Sequence, residues 1–272
     1  TAFVFANIIY HFQVPGVIGI ILFAGFMIRK NKRTHEDLVK EKEDFTIYNL
    51  KKIKDAEMAI SETFEHLAFL LRDIRLSFEV TFEALFAQDT DTMRKERKKA
   101  KRIQQGANII MANVFKVLRL LQKEDPKISY KYAQTIRRLQ KLSDGHRDLV
   151  ARSYVHISNK HKGLLEVQIE ELKQIKSCFL DILQMVENSF KQKEIDDYRN
   201  IIDQYQHMRD LANQINQRQI QRIRNDSSKT RLSILFYAII GNCLMMTKQN
   251  IKLIEILNES FQLDENLSNS YY

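Results

Sequence analysis

The sequence predicts an all-α fold, a membrane-anchored helical bundle. Three observations carry that prediction. Of 272 residues only seven are Gly and two are Pro, too few for β-rich folds or Gly-lined cofactor clefts, whose tight turns need a residue without Cβ. The remainder is dominated by Leu, Ile, Lys, Glu, Gln and Arg, and all of these but the β-branched Ile lose little rotamer freedom in a helix. Apolar residues also recur in steps of three and four through most of the chain, the period of one helix face.

The chain opens on TAFVFANIIYHFQVPGVIGIILFAGFMI, residues 1–28, which contain no acid, Lys or Arg. Pro15-Gly16 reads as a break between two helices. Thr1 to Phe12 is then the end of one span and Val14 to Ile28 a second, shorter than the ~20 residues that cross a bilayer core. A re-entrant hairpin is the alternative, and the apolar core helix of a soluble protein a further one. Arg29, Lys30, Lys32 and Arg33 follow at once and act as a membrane stop. Under the positive-inside rule they keep residues 29–272 in the cytoplasm. No initiator Met, charged n-region or small-residue cleavage site precedes the apolar run, so a signal peptide is not the expected reading. The run reads as the start of a truncated gene product, or of a fragment that begins inside a larger membrane protein.

Residues 29–56 form a basic linker, and six helices are expected after it. The first carries Ile60, Phe64, Leu67, Leu71, Ile74, Phe78, Phe82 and Leu85. Gln88-Asp89-Thr90-Asp91 ends it and caps the second, whose stripe is Ala100, Ile103, Ala107, Ile110, Val114, Val117 and Leu121. Asp125-Pro126 supplies a cap and first-turn proline for the third, which runs from about Lys127 to Lys160. Gly163 then punctuates the chain. The fourth helix carries Leu165, Ile169, Leu172, Ile175, Phe179, Ile182, Val186 and Phe190. The fifth starts near Ile195 with Tyr198, Ile202, Tyr205, Met208, Ala212 and Ile215. Asn225-Asp226-Ser227-Ser228 breaks it, and the sixth runs through Leu232, Phe236, Ile239, Cys243, Met246 and Ile254 to about Phe261. Residues 264–272 are a polar tail that frays. Positions 57, 91 and 127 map to about 164, 194 and 227, a near-constant offset that suggests a duplicated three-helix unit, residues 57–163 and 164–263.

At this level the chain resembles a known family. A terminal span, a basic stop and two three-helix units look like the C-terminal part of PiT-type inorganic phosphate permeases of Bacteroidetes that carry a PhoU-like cytoplasmic domain. NIIYHFQVPGVIGIILFAGFMIRKNK is similar to their terminal span. HISNKHKGLLEVQIEELKQI, from His156 to Ile175, resembles their inter-repeat junction, and QIQRIRNDSSKTRLSILF, from Gln219 to Phe236, their last helix–helix junction. The resemblance implies phosphate transport driven by an ion gradient in spans this chain mostly lacks. It implies a regulatory role for the bundle, with the membrane, the rest of the transporter and a protein regulator as partners. PhoU proteins also carry an acid-x-x-x-Asp motif in the third helix of each repeat, which can hold metal. The matching positions here are Gln140 and Asp144 in the first repeat and Ala238 and Asn242 in the second. Asp144 is therefore the one candidate metal ligand left, and no cofactor is expected.

The residues themselves bound the function further. Net charge is +9, which favours anionic partners. The run from Arg94 to Arg102 places Arg94, Lys95, Arg97, Lys98, Lys99, Lys101 and Arg102 in nine positions. A solvated helix face and contact with anionic lipid both suit it. Nucleic-acid binding does not, because no aromatic is interleaved for stacking. On the third helix, Arg137, Gln140, Asp144 and Asp148 share one face, and Leu139, Leu142, His146, Leu149, Ser153 and His156 the other. His146 and His156 lie ~15 Å apart by helical rise, too far to share a metal, and read as hydrogen-bonded core or boundary histidines. His156 and His161 flank the junction and read as packing groups. Cys178 and Cys243 read as buried, reduced thiols. Asp196-Asp197 complements a helix start. No P-loop, dinucleotide fingerprint, His-Glu-x-x-His or Gly-x-Ser-x-Gly occurs, so no enzyme is expected. A membrane-anchored signalling module and a metal-binding helical bundle are the alternative functions.

Overall fold

The computed structural model describes residues 22–24, 27, 29, 56–121, 126–192, 195 and 198–268. The chain divides into two compact units, Thr1–Ile47 and Tyr48–Tyr272. In the first, the described residues Leu22, Phe23, Ala24, Met27 and Arg29 are helical and exposed. The rest of the expected membrane segment, with Lys30, Lys32 and Arg33 of the stop, lies outside the described residues.

Among the described residues, the second unit is built of six helices: α1 (Ala56–Phe86), α2 (Thr90–Leu121), α3 (Pro126–Ser158), α4 (Glu166–Gln192), α5 (Tyr198–Arg224) and α6 (Thr230–Ser268). Two boundaries differ from expectation. α5 begins at Tyr198, a few residues later than Ile195. α6 runs on to Ser268, through positions expected to fray. The junctions obey helix-terminus chemistry. Asp89 caps α2, its Oδ1 accepting the N–H groups of Asp91 and Thr92, both at 3.0 Å. This satisfies two donors that a helix start leaves without intrahelical partners.

α1, α3 and α5 all stop in the same way. Gln88, Lys160 and Asp226 lie two residues past their helix ends at φ of 54°, 52° and 53°. The next residue's N–H then folds back to a carbonyl of the last turn: Asp89 to Ala84, His161 to His156, Ser227 to Arg222. Each is a Schellman stop with a residue other than Gly in the left-handed position.

α1, α2 and α3 all pack against one another, and so do α4, α5 and α6. The two triples meet along α1 with α4 and along α3 with α6. Helix starts at 56, 90 and 126 recur at 166, 198 and 230. Core side chains follow the expected stripes: Leu67, Leu71, Ile74, Phe78, Phe82 and Leu85 on α1; Leu172, Ile175, Phe179, Ile182, Val186 and Phe190 on α4. On α5 the buried residue of the first turn is Ile201; Ile202 is half-buried. Cys178 is also half-buried, and only Cys243 is enclosed as expected. Phe78 is fully enclosed where the triples meet, edge-on to Phe179 of α4 at 5.0 Å and to the His146 ring of α3 at 4.8 Å. At Gly145 a Cβ would come within 2.6 Å of Met245 Cε and 2.9 Å of Met246 Cγ. A side chain there would require the methionine side chains of α6 to shift.

Over Thr230–Ile256, α6 is long and apolar enough to cross a membrane, with mean hydropathy 1.3, and half of the window is buried inside the bundle. Leu232, Phe236, Ile239, Cys243, Met246 and Ile254 are buried, on a helix that packs against α3, α4 and α5. The same helix buries Ser233, Thr247, Gln249 and Asn250. The packing is that of a core helix.

Candidate functional site: the groove between α3 and α6

Side chains from the last turns of α3 and the first turns of α6 leave a groove of about 330 Å³ between them. α3 lines it with Ala151, Arg152, Val155 and His156; the junction adds His161; α6 adds Arg231, Ile234, Leu235 and Ala238. Spacings of three, four and seven on α6 put its four residues on one helix face. Val155 is 51% exposed and Ile234 59% exposed, so two large aliphatic groups face solvent on opposite walls.

The polar groups of the groove differ in how far they are already paired. Arg152 donates Nε–H to Asp148 Oδ2 at 2.7 Å. Asn242 of α6 donates to the same oxygen at 3.1 Å, which ties the two helices together. His156 Nε2 lies 3.1 Å from the Lys162 carbonyl. A carbonyl only accepts, so this nitrogen carries the proton. Burial lowers the His156 pKa below the usual imidazole value, and the neighbouring His161 lowers it further. The two rings stand 5.4 Å apart. The Arg231 guanidinium has no hydrogen bond or ion pair among the described residues, and no Asp or Glu lines the groove.

A second polar feature lies inside the first triple. Ser77 donates its hydroxyl to Glu96 Oε2 at 2.6 Å, and His146 Nε2 is 2.9 Å from the same hydroxyl oxygen. Ser77 has one proton to give and gives it to the carboxylate, so His146 donates from Nε2 and its Nδ1 carries the lone pair. That Nδ1 has no hydrogen-bond partner among the described residues. The chain is enclosed: His146 and Ser77 are 0% exposed and Glu96 7%. It fixes α1, α2 and α3 to one another and gives a substrate no way in. Burial, with a smaller contribution from the Lys99 charge, holds His146 down at about 3.

The second triple has its own polar joint. Gln168 accepts from the Leu165 N–H at 3.0 Å and donates to Gln219 at 2.9 Å; Gln219 in turn donates to Ser228 and Ser233. This network fixes the start of α6, and therefore the groove wall. Next to it Glu171 pairs with Arg218 at 2.7 Å and Arg222 at 2.5 Å.

The residues singled out from sequence are distributed over different surfaces. Asp144 accepts from Gln104 of α2 at 2.9 Å and lies 3.7 Å from Arg147. Its motif counterpart Asn242 is bonded to Asp148 instead. Among the described residues no three His, Cys, Asp or Glu side chains converge as a metal site would require. In the basic run, Arg94 pairs with Asp91 and Arg97 lies over the Tyr154 ring at 4.7 Å. Lys95, Lys98, Lys101 and Arg102 are exposed, and Lys99 is half-buried.

His146 is a hydrogen-bonded core histidine and His156 a hydrogen-bonded one at the boundary, and His161 joins His156 in the groove. Sequence reasoning missed Glu96, although the signal was present. Met93, Glu96, Ala100, Ile103 and Ala107 step by three and four, so this acid stands in phase with the apolar stripe. Arg152 and Arg231 carried no comparable signal. No family model, curated protein or solved structure matches the chain.

Proposed function

We propose that this chain is the end of the membrane region and the PhoU-like cytoplasmic regulatory domain of an inorganic phosphate transporter. The observation that carries the reading is the pairing of two three-helix units through corresponding helices, α1 with α4 and α3 with α6. A duplicated module packs in this way, and the junction segments from His156 to Ile175 and from Gln219 to Phe236 resemble those of that family. In this reading residues 29–272 are cytoplasmic, and phosphate is carried by the rest of the transporter, driven by a coupled ion gradient. The bundle performs no chemistry. It restrains or releases transport, or docks a protein regulator, when its helices shift against the membrane part.

The test is phosphate uptake by the full-length protein with and without residues 57–272. The expected result is that uptake proceeds but no longer responds to phosphate supply. Unchanged rate together with unchanged response would overturn the proposal.

A further inference from the structure

The chemistry of the α3–α6 groove is one-sided. Its lining offers two guanidinium groups and two imidazoles, no carboxylate, and an apolar wall on each helix. The Arg152 charge is already met by Asp148 at 2.7 Å, whereas Arg231 has no anionic partner among the described residues. A guanidinium presents a planar fork of N–H donors that matches a carboxylate or phosphate group. The aliphatic surface of Val155 and Ile234 is left open to water, apolar area whose removal from solvent would favour an apolar ligand body. A volume of about 330 Å³ lies at the low end of the roughly 300–1,000 Å³ typical of small-ligand pockets.

From these observations we infer that the groove binds a small amphipathic organic anion, its phosphate or carboxylate head on Arg231 and its compact apolar body between Val155 and Ile234. His161 stands beside the head as a further hydrogen-bonding group. The site does not rest on the transport proposal. It lies at one of the two seams between the triples, so an occupant would contact both of them. The same chemistry is offered by a free organic phosphate and by an anionic lipid headgroup.

The experiment uses the full chain in phosphatidylcholine nanodiscs with isotope-labelled histidine, titrated with 1-naphthyl phosphate and followed by NMR. The His156 and His161 resonances are expected to move saturably while those of His146, enclosed elsewhere, stay fixed. Inorganic phosphate and 1-naphthol, each half of the probe, should bind at least about tenfold more weakly than the whole. Arg231→Gln should weaken the probe by about tenfold, the loss of one charge-assisted hydrogen bond, and Ile234→Ser should weaken it as well. Both side chains are exposed, and unmoved His146 resonances verify that the variants fold. A second arm replaces part of the phosphatidylcholine with phosphatidylglycerol and omits the probe. Arg231-dependent shifts in that arm alone would support the site and assign its ligand to the lipid. Shifts that ignore Arg231→Gln in both arms, or no shifts in either, would overturn the proposal.

Discussion

Titrating His146 tests the enclosed Glu96–Ser77–His146 chain directly. The ring is fully buried and its pKa is held at about 3 against an ordinary 6.5. A folded-state value below the unfolded one means that the unfolded chain binds the proton first. The resulting stabilisation is complete above pH 6.5 and is lost as pH falls through the window between 6.5 and 3. The slope within that window approaches 1.4 kcal/mol per pH unit for one group, so moving from pH 7 to pH 5 should cost about 2 kcal/mol.

His66 and His156 are also lowered by burial and act in the same direction, so the wild-type slope alone does not isolate His146. His146→Gln does isolate it. The amide nitrogen reaches where Nε2 now donates to Ser77, and the side chain does not titrate. Urea unfolding followed by circular dichroism at pH 5, 6 and 7 should show about 2 kcal/mol less pH-dependent loss in the variant. Ring-nitrogen NMR of the wild type should show a neutral Nε2–H tautomer throughout. Equal slopes in the two proteins would refute the reasoning, as would an imidazolium at pH 5. Either would mean that the Glu96 carboxylate stabilises the protonated ring through Ser77.

Other outcomes follow from the packing. Phe78→Ala empties a site shared by α1, α3 and α4 and should cost about 3–5 kcal/mol in urea unfolding. Glu171→Ala leaves Arg222, whose side chain is 15% exposed, without its carboxylate, and should cost about 3 kcal/mol by the same measurement. Asp89→Ala removes the acceptor for two N–H groups at the start of α2 and should cost about 1 kcal/mol. Lys160→Gly relieves a left-handed residue other than glycine and should raise the thermal midpoint, with a gain of about 1 kcal/mol.

Much of this fold was legible because helical spacing is a local property. The step of three and four in Leu67, Leu71, Ile74, Phe78 and Phe82 requires no knowledge of a partner, and those residues are buried as expected. Breaks at Gln88-Asp89 and Asn225–Ser228 were equally visible, since capping and turn chemistry act over a few residues. The start of α5 was less legible because its first turns are polar: Tyr198, Ile202 and Tyr205 are only half-buried. α6 extends past the expected end at Phe261 to Ser268 because a run without Gly or Pro gives the backbone no reason to stop.

The groove was not legible at all. Arg152 and Arg231 are separated by a helix end, a junction and two whole helices, and each alone looks like an ordinary surface cation. The same holds for Glu96 and His146. Their phase placed each on an apolar stripe, but that both would meet Ser77 depended on how α1, α2 and α3 cross.

The sequence by itself determined that the chain is helical, where most helices begin and end, and which face of each turns inward. All of these are set by backbone hydrogen bonding and side-chain period within a dozen residues. Only the tertiary structure decided which inward faces meet. It put Phe78 against Phe179 and His146, enclosed a carboxylate from the most basic run of the chain, and left Arg231 without a counter-charge among the described residues, beside exposed aliphatic surface. The physical reason is that pairing energy depends on distance and burial between residues far apart in sequence, and periodicity fixes neither.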